Sequence, residues 1–309
     1  MNRDSGRQAI AGRVDGGSLR VGIPRALVYY LHPGVWETFF RDIGCRVFVS
    51  APTNPELLER ASLISESEHC LPVKLFDAHV EALAGRTDVV FVPRILSTDA
   101  DHISCPKLGA LPDSIRADFD GQVQVVTVDV DERRQPLTAS LEQLGAQLGI
   151  GEKRVRRATR KALEALDEAD TSPPVHTAGA DMRFLLLGHP YNLQTEYFVR
   201  PIAEKLAMMD VAVDSVDFSG EPTGDGPIKW DASSIMYDAL RDLDPADWDG
   251  VIQLTSFNCG CDSMVSKMFE NVVRERGIPF MSLILDEHTA TAGVDTRLEA
   301  FVDSIRAAT

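Results

Sequence analysis

The sequence is short of positive charge, of long apolar runs and of cysteine, and each shortage excludes something. Lysine and arginine number 31 against 47 aspartates and glutamates, a formal charge of −16. A field of that sign opposes nucleic acid and anionic membrane surfaces, and no basic patch interleaved with aromatics offsets it, so neither is expected as a partner. No run of about eighteen apolar residues occurs, so no transmembrane helix is expected. Residues 1–18 are polar and glycine-bearing, lack the apolar core of a signal peptide, and read as a disordered tail. There are 5 cysteines, an odd count without a secretory signal. They point to a reducing, cytoplasmic setting in which clustered thiols bind metal or react more often than they pair. Gly22-Ile23-Pro24 lacks the GxGxxG spacing, so no nucleotide fingerprint is present.

What is there is a regular alternation. A chain of 309 residues lies where one core usually divides into two. Apolar, strand-like runs at 19–24, 45–49, 88–92 and 123–128 alternate with helical patterns at 28–41, from Asn54-Pro55 onward, and at 70–84, 137–148 and 154–166. Beyond a proline- and serine-bearing linker at 171–179 the design repeats. Strands are expected at 184–188, within 211–218, and at 251–254 and 279–285; helices are expected at 201–209, 233–240, 264–276 and 298–307. The fold class is therefore α/β, two Rossmann-like domains with mostly parallel sheets covered on both faces. The domains are expected at 19–175, carrying Cys70 and Cys105, and 181–309, carrying Cys259 and Cys261.

Cys70, Cys105 and Cys259 share one local design. Each stands where a loop or strand gives way to a helical pattern, with Pro72, Pro106 or Gly260 beside it. Helix amino termini present unpaired N–H groups and the positive end of a dipole, which stabilise a thiolate or an anionic cluster. In open α/β sheets such junctions line the functional crevice, so a metal site at the inter-domain crevice is expected. The spacing is too wide for a compact ferredoxin or finger motif, and buried apolar cysteines or a zinc site would satisfy the same pattern. Cys45, after Gly44 at a strand start, reads as core. Cys261 reads either as a further ligand or as a close neighbour, since Gly260 would permit a tight turn. Asp262-Ser263 reads as the cap of a helix from Met264.

Several motifs together carry a family resemblance: Cys70-Leu71-Pro72-Val73-Lys74-Leu75 with His79, Asp88-Val89-Val90-Phe91-Val92-Pro93-Arg94, and Cys105-Pro106-Lys107. Gly188-His189-Pro190-Tyr191-Asn192, Cys259-Gly260-Cys261-Asp262-Ser263 and Asp286-Glu287-His288 complete them, with Thr296-Arg297-Leu298-Glu299 following. The chain resembles the 2-hydroxyacyl-CoA dehydratase component family, in its activase-related, double-cubane-cluster-like branch. That resemblance implies a 4Fe–4S cluster, or in one branch a double-cubane 8Fe–9S cluster, held by Cys70, Cys105 and Cys259. It implies a dimer that receives electrons from a separate ATP-hydrolysing activase. The substrate it implies is an acyl-CoA, dehydrated by a lyase reaction, or another small molecule reduced at low potential. Where the family usually has proline after the cysteine–glycine pair, this chain has Cys261, which would supply either a fourth thiolate, closing the cluster for electron transfer or a scaffold subunit, or a redox-active neighbour. No ATPase phosphate-binding segment is present, so the activase would be a separate chain.

Around these cysteines, Lys74, Arg94 and Lys107 are candidate contacts for a cluster or a phosphate, with solvated or salt-bridged charges as the alternative. His189 and Tyr191 follow a strand end, where they could meet the cluster or cap a turn. His288, in Asp286-Glu287-His288, could act in acid–base chemistry, ligate metal or bond across an interface.

Overall fold

A computed structural model describes residues 19–169, 180–220, 222–224, 226–287 and 291–308. The linker expected at 171–179, the expected tail at 1–18 and His288 lie outside the described residues. In chain order the elements begin with β1 (Arg20–Ile23), a 3-10 turn (Leu27–Leu31), α1 (Val35–Asp42), β2 (Arg46–Val49), α2 (Pro55–Ile64) and α3 (Leu71–Leu83). Next come β3 (Val89–Phe91), β4 (Arg94–Ser97), α4 (Pro106–Asp118), β5 (Val125–Val126), β6 (Asp129–Asp131), α5 (Leu137–Gln147) and α6 (Glu152–Asp167). They continue with β7 (Met182–Gly188), α7 (Pro190–Leu193), α8 (Glu196–Met208), β8 (Val211–Ser215) and α9 (Asp231–Arg241). Last are β9 (Gly250–Ser256), α10 (Gly260–Glu275), β10 (Phe280–Leu285) and α11 (Thr291–Arg306).

The expected fold class is what the structure has: α/β with parallel sheets, consistent with Rossmann-like domains. One sheet has the order β2-β1-β3-β5, another β10-β9-β7-β8, and β4 pairs with β6 in a small third ladder. Each described pairing is parallel. Within each larger sheet the first strand in sequence has the second on one side and the third on the other, which creates a topological switch point at their carboxyl ends. By their contacts the described residues form two units. One holds the described residues of 19–51 and 76–169, and the other those of 52–75 and 180–308. The segment carrying Cys70 is thus grouped with Cys259 and Cys261, while Cys105 is in the first unit.

Local chemistry explains most element starts. Asn54 accepts a hydrogen bond from the Leu57 N–H at 3.0 Å, and Pro55 occupies the first position of α2, as the sequence led one to expect. The charged helix α6 buries only Val155, Ala158, Thr159 and Ala162, one stripe at helical spacing. The core of the second unit is built where β7 and β9, apolar and nearly continuous in burial, meet α9 and α10 through Leu185, Leu187, Met236, Leu240, Val251, Val265 and Phe269.

Three expectations need correction. The helix expected at 28–41 is broken: a 3-10 turn ends before Gly34, which takes φ 78° and caps α1 from the left-handed region. α8 begins at Glu196 and carries Pro201 inside it, and α10 begins at Gly260, well before Met264. The β4–β6 ladder has no counterpart in the sequence reading, because two- and three-residue strands leave no periodic signal. Among the described residues, no helix is long and apolar enough to cross a membrane.

Two histidines of the first unit are buried and uncharged. His32 is 4% exposed and His79 is 0% exposed. Burial lowers His32 to about 4, and burial together with the charge of Arg25 lowers His79 to about 4. Ser50 Oγ lies 2.7 Å from His79 Nδ1 and anchors the neutral ring. Between pH 6.5 and about 4 the unfolded chain binds protons at these rings while the folded chain does not, so stability falls as pH drops through that window. Urea denaturation from pH 7 to pH 4.5 should show this loss, up to roughly 3 kcal/mol for each ring. H79Q should flatten the profile; an equally steep profile in H79Q would assign the loss to other groups.

Candidate functional site

The site grows from the carboxyl ends of β7 and β9, neighbours at the switch point of the second unit's sheet. β7 ends at Gly188, where a Cβ would stand 2.8 Å from the Leu254 carbonyl oxygen of β9. Only glycine lets the strands close that far. His189 then caps α7, with Pro190 at the first helical position and the Asn192 N–H donating to the His189 carbonyl at 2.8 Å. Asn192 stitches the two strand ends together. Its Nδ2 donates to Leu254 O at 3.1 Å, and its Oδ1 accepts from Ser256 Oγ at 2.8 Å.

Beyond β9 the chain turns at Asn258, whose φ of 60° is the left-handed residue of this segment. The tight turn expected at Gly260 is therefore one residue pair earlier, and a Cβ at Gly260 would meet nothing within 4 Å. Cys259 is the N-cap of α10, and Gly260 opens the helix. Asp262 does not cap a later helix: it lies in the first turn of this one, where a carboxylate complements the dipole. The Cys259 backbone is held on both sides. Its N–H donates to Ser256 O at 3.0 Å, and its carbonyl accepts from the Ser263 N–H at 3.1 Å and Ser263 Oγ at 2.7 Å.

Three side chains converge here. Donor atoms of His189, Cys259 and Asp262 all lie within 4.8 Å of one another, and all three residues are buried. His189 Nε2 and Asp262 Oδ1 stand 3.0 Å apart. Neither of these buried atoms makes a directed hydrogen bond, so their approach is an ion pair with the N–H off the N···O line. Burial opposes the imidazolium, but Asp262, with Cys259 beside it, outweighs burial and holds His189 well above the usual imidazole range. Burial likewise opposes the Asp262 carboxylate, and His189 and the Thr255 hydroxyl outweigh it, holding Asp262 below its ordinary value. Thr255 Oγ1 donates to Asp262 Oδ2 at 2.6 Å, and Tyr191 stacks on the His189 ring at 5.0 Å between centroids. A thiol, an imidazole and a carboxylate meeting at one point can hold a metal ion or move a proton.

The other sequence-predicted residues fall as follows. Cys70 is buried immediately before α3, and its carbonyl accepts from the Val73 and Lys74 N–H groups at 3.0 and 3.1 Å. Lys74 Nζ pairs with Glu287 Oε1 at 2.7 Å, and Asn258 Nδ2 donates to Ser67 O at 3.4 Å. Cys105 is the N-cap of α4 and half-buried. Cys261, buried, is two positions after Cys259, and on a helix such positions do not face the same way, whereas positions three apart do. Arg94 is bound to Asp113, Asp129 and the Gly109 carbonyl, so its charge is taken up locally. Lys107 lies in the first turn of α4. Cys45 is core, its thiol pushed up to about 12 by burial. Asp262 is the functional residue that sequence reasoning read only as a cap; its signal was the three-residue spacing from Cys259.

A family model described as the CoA enzyme activase uncharacterised domain matches residues 20–218, more than half of the chain. The chain belongs to that family. The match spans Cys70, Cys105 and His189 of this activase-related chain and stops before Cys259, Cys261 and Asp262. A search of curated proteins finds no match. Among solved structures, the crystal structure of ZnuA is similar with a TM-score of 0.27 and 10% identity, over 92% of this chain and 98% of that one. A likeness so slight carries no argument.

Gly188→Ala should test the close approach that the site depends on. The carbonyl facing the new methyl group is backbone of a central strand, so relief must come from separating β7 and β9. The expected cost is roughly 1–3 kcal/mol, seen as a lower denaturation midpoint in urea. A midpoint equal to that of the parent would show that the strands yield freely.

Proposed function

We propose that this activase-related chain is the iron–sulfur component of a low-potential reducing system, supplied with electrons by a separate ATP-hydrolysing activase. One observation carries the reading. The segment bearing Cys70 is fastened to the loops around Cys259 through Asn258 with Ser67 and through Lys74 with Glu287. Both thiols stand at helix amino termini, as does Cys105. Unpaired N–H groups and dipole ends of that kind suit an anionic cluster. None of the five cysteines is in a disulfide.

The donor chemistry fits a 4Fe–4S cluster held by Cys70, Cys105 and Cys259, with Cys261 adjoining. Bound there, it would supply one-electron transfer at low potential. The chain's own residues would orient and shield it: the positive ends of α3, α4 and α10 would favour its negative charge, and the buried surroundings of β9 would exclude water. The chain would work as a dimer. Its acceptor would be an acyl-CoA thioester undergoing 2-hydroxyacyl-CoA dehydratase-like elimination, or another small molecule. A second reading is a non-catalytic electron-transfer or scaffold subunit with a closed cluster, favoured by the buried Cys261.

Anaerobic purification followed by iron and acid-labile sulfide analysis tests this. About four irons and four sulfides per chain are expected, with a broad visible charge-transfer shoulder. C259S should lose both elements, and C261S should keep them. Zinc without sulfide in the parent chain would overturn the cluster, and loss of iron in C261S would favour the closed form.

A further inference from the structure

We propose that His189 Nε2, Cys259 Sγ and Asp262 Oδ1 form a binding site for one zinc-type divalent cation, with a fourth coordination position open to water or a small ligand.

The donors stand close enough for small side-chain rotations to bring them onto a single ion. Donors bonded to one zinc at about 2.0–2.3 Å cannot stand more than about 4.6 Å apart. All three donor atoms lie within 4.8 Å of one another, with 3.0 Å between Nε2 and Oδ1. Ligands of a cluster bind different irons and have no such requirement. The triad, formed entirely by the second unit, therefore suits one ion.

The misalignment of the ion pair is the second, independent sign. His189 is 6% exposed and Asp262 2% exposed, yet Nε2 and Oδ1 both lack a directed hydrogen-bond partner. Buried polar atoms are nearly always satisfied, and two that face each other beside a thiol without a directed bond suit a shared cation. A cation placed among them would displace the Nε2 proton to solvent and be met by a lone pair on each atom.

The surroundings complete the arrangement. Thr255 occupies Oδ2 of Asp262, which leaves Oδ1 for the ion, and Tyr191 fixes the plane of the imidazole. Such outer contacts orient metal ligands and sustain affinity. Serine hydrogen bonds hold the Cys259 backbone, so its sulfur need only rotate to meet the ion. A thiolate and a carboxylate neutralise a divalent charge, so the buried site becomes electrically balanced. The mixture of one soft sulfur, one nitrogen and one oxygen selects zinc, cobalt or ferrous iron over magnesium or calcium, which require oxygen ligands. Three protein ligands, where closed structural sites have four, leave a position for exchange.

The ion site stands by itself. If the cluster reading also holds, and this clause rests on it, ion and cluster share Cys259 and exclude each other, so zinc here would mark a chain lacking its cluster.

The test is a cobalt(II) titration of the full-length chain, stripped of metal with a chelator and kept anaerobic and reduced. Expected are one equivalent bound, the intense visible bands of a tetrahedral ion, a thiolate-to-cobalt charge-transfer band, and displacement by zinc. H189Q and D262N should weaken binding at least about tenfold, and C259S should abolish the charge-transfer band. A charge-transfer band that survives C259S, or affinity unchanged in both H189Q and D262N, would overturn the site. X-ray absorption on the zinc-loaded parent chain needs no variant. One sulfur with nitrogen and oxygen neighbours is expected, and two or more sulfurs, or none, would refute it. Iron and sulfide, measured on a separate anaerobic preparation that has not been stripped of metal, report on the cluster reading.

Discussion

The interaction on which the second unit depends is a charge pair in a place without water. His189 follows β7 and Asp262 lies in the first turn of α10, beyond the neighbouring parallel strand β9, and each favours the charged form of the other. Burying either charge alone would be prohibitively unfavourable, and burying both with poor angular alignment still leaves the local field unsatisfied. The strands must consequently meet closely and stay in register. Gly188 makes the approach sterically open, Asn192 bonds both to Leu254 and to Ser256, and Thr255 takes the second carboxylate oxygen. These are the contacts through which a sheet edge becomes a site.

The first unit uses the same residue type in the opposite sense. Burial drives both His32 and His79 to the neutral form, with the charge of Arg25 adding to it at His79. Histidine burial therefore carries no functional meaning until its partners are known. The cysteines repeat the lesson. Cys45 is sealed in a core that raises its thiol, whereas Cys70, Cys105 and Cys259 stand at helix amino termini. Placement at the positive end of a helix is what separates a thiol able to serve a metal from one that only fills space. In an activase-related chain, that placement is what the proposed electron-transfer role draws upon.

Much of this was readable. Buried parallel strands appear as continuous apolar runs, so β1, β3, β7, β9 and β10 could be marked from residue type alone. Asn54-Pro55 announced α2, and the junction cysteines announced helix starts. Other features were present but read differently. His32-Pro33-Gly34 carries a breaker signal that interrupts what periodicity presents as one helix. The glycine between Cys259 and Cys261 suggested the turn that Asn258 in fact makes. Asp262 had the composition of a cap, and nothing local distinguishes a carboxylate serving its own helix from one facing a histidine on the next strand.

The sequence by itself determined the α/β class, the repeated design of the two halves, the thiols at helix starts, and the acidic charge. Only the tertiary structure decided that β7 and β9 are neighbours, and so that His189, Cys259 and Asp262 share one point. The physical reason is that local patterning fixes which segments become strands, while their order is fixed by hydrogen bonding and packing between segments far apart in the chain. The functional triad is a property of that order, carried by the turn at Gly188-His189 and the one at Asn258-Cys259.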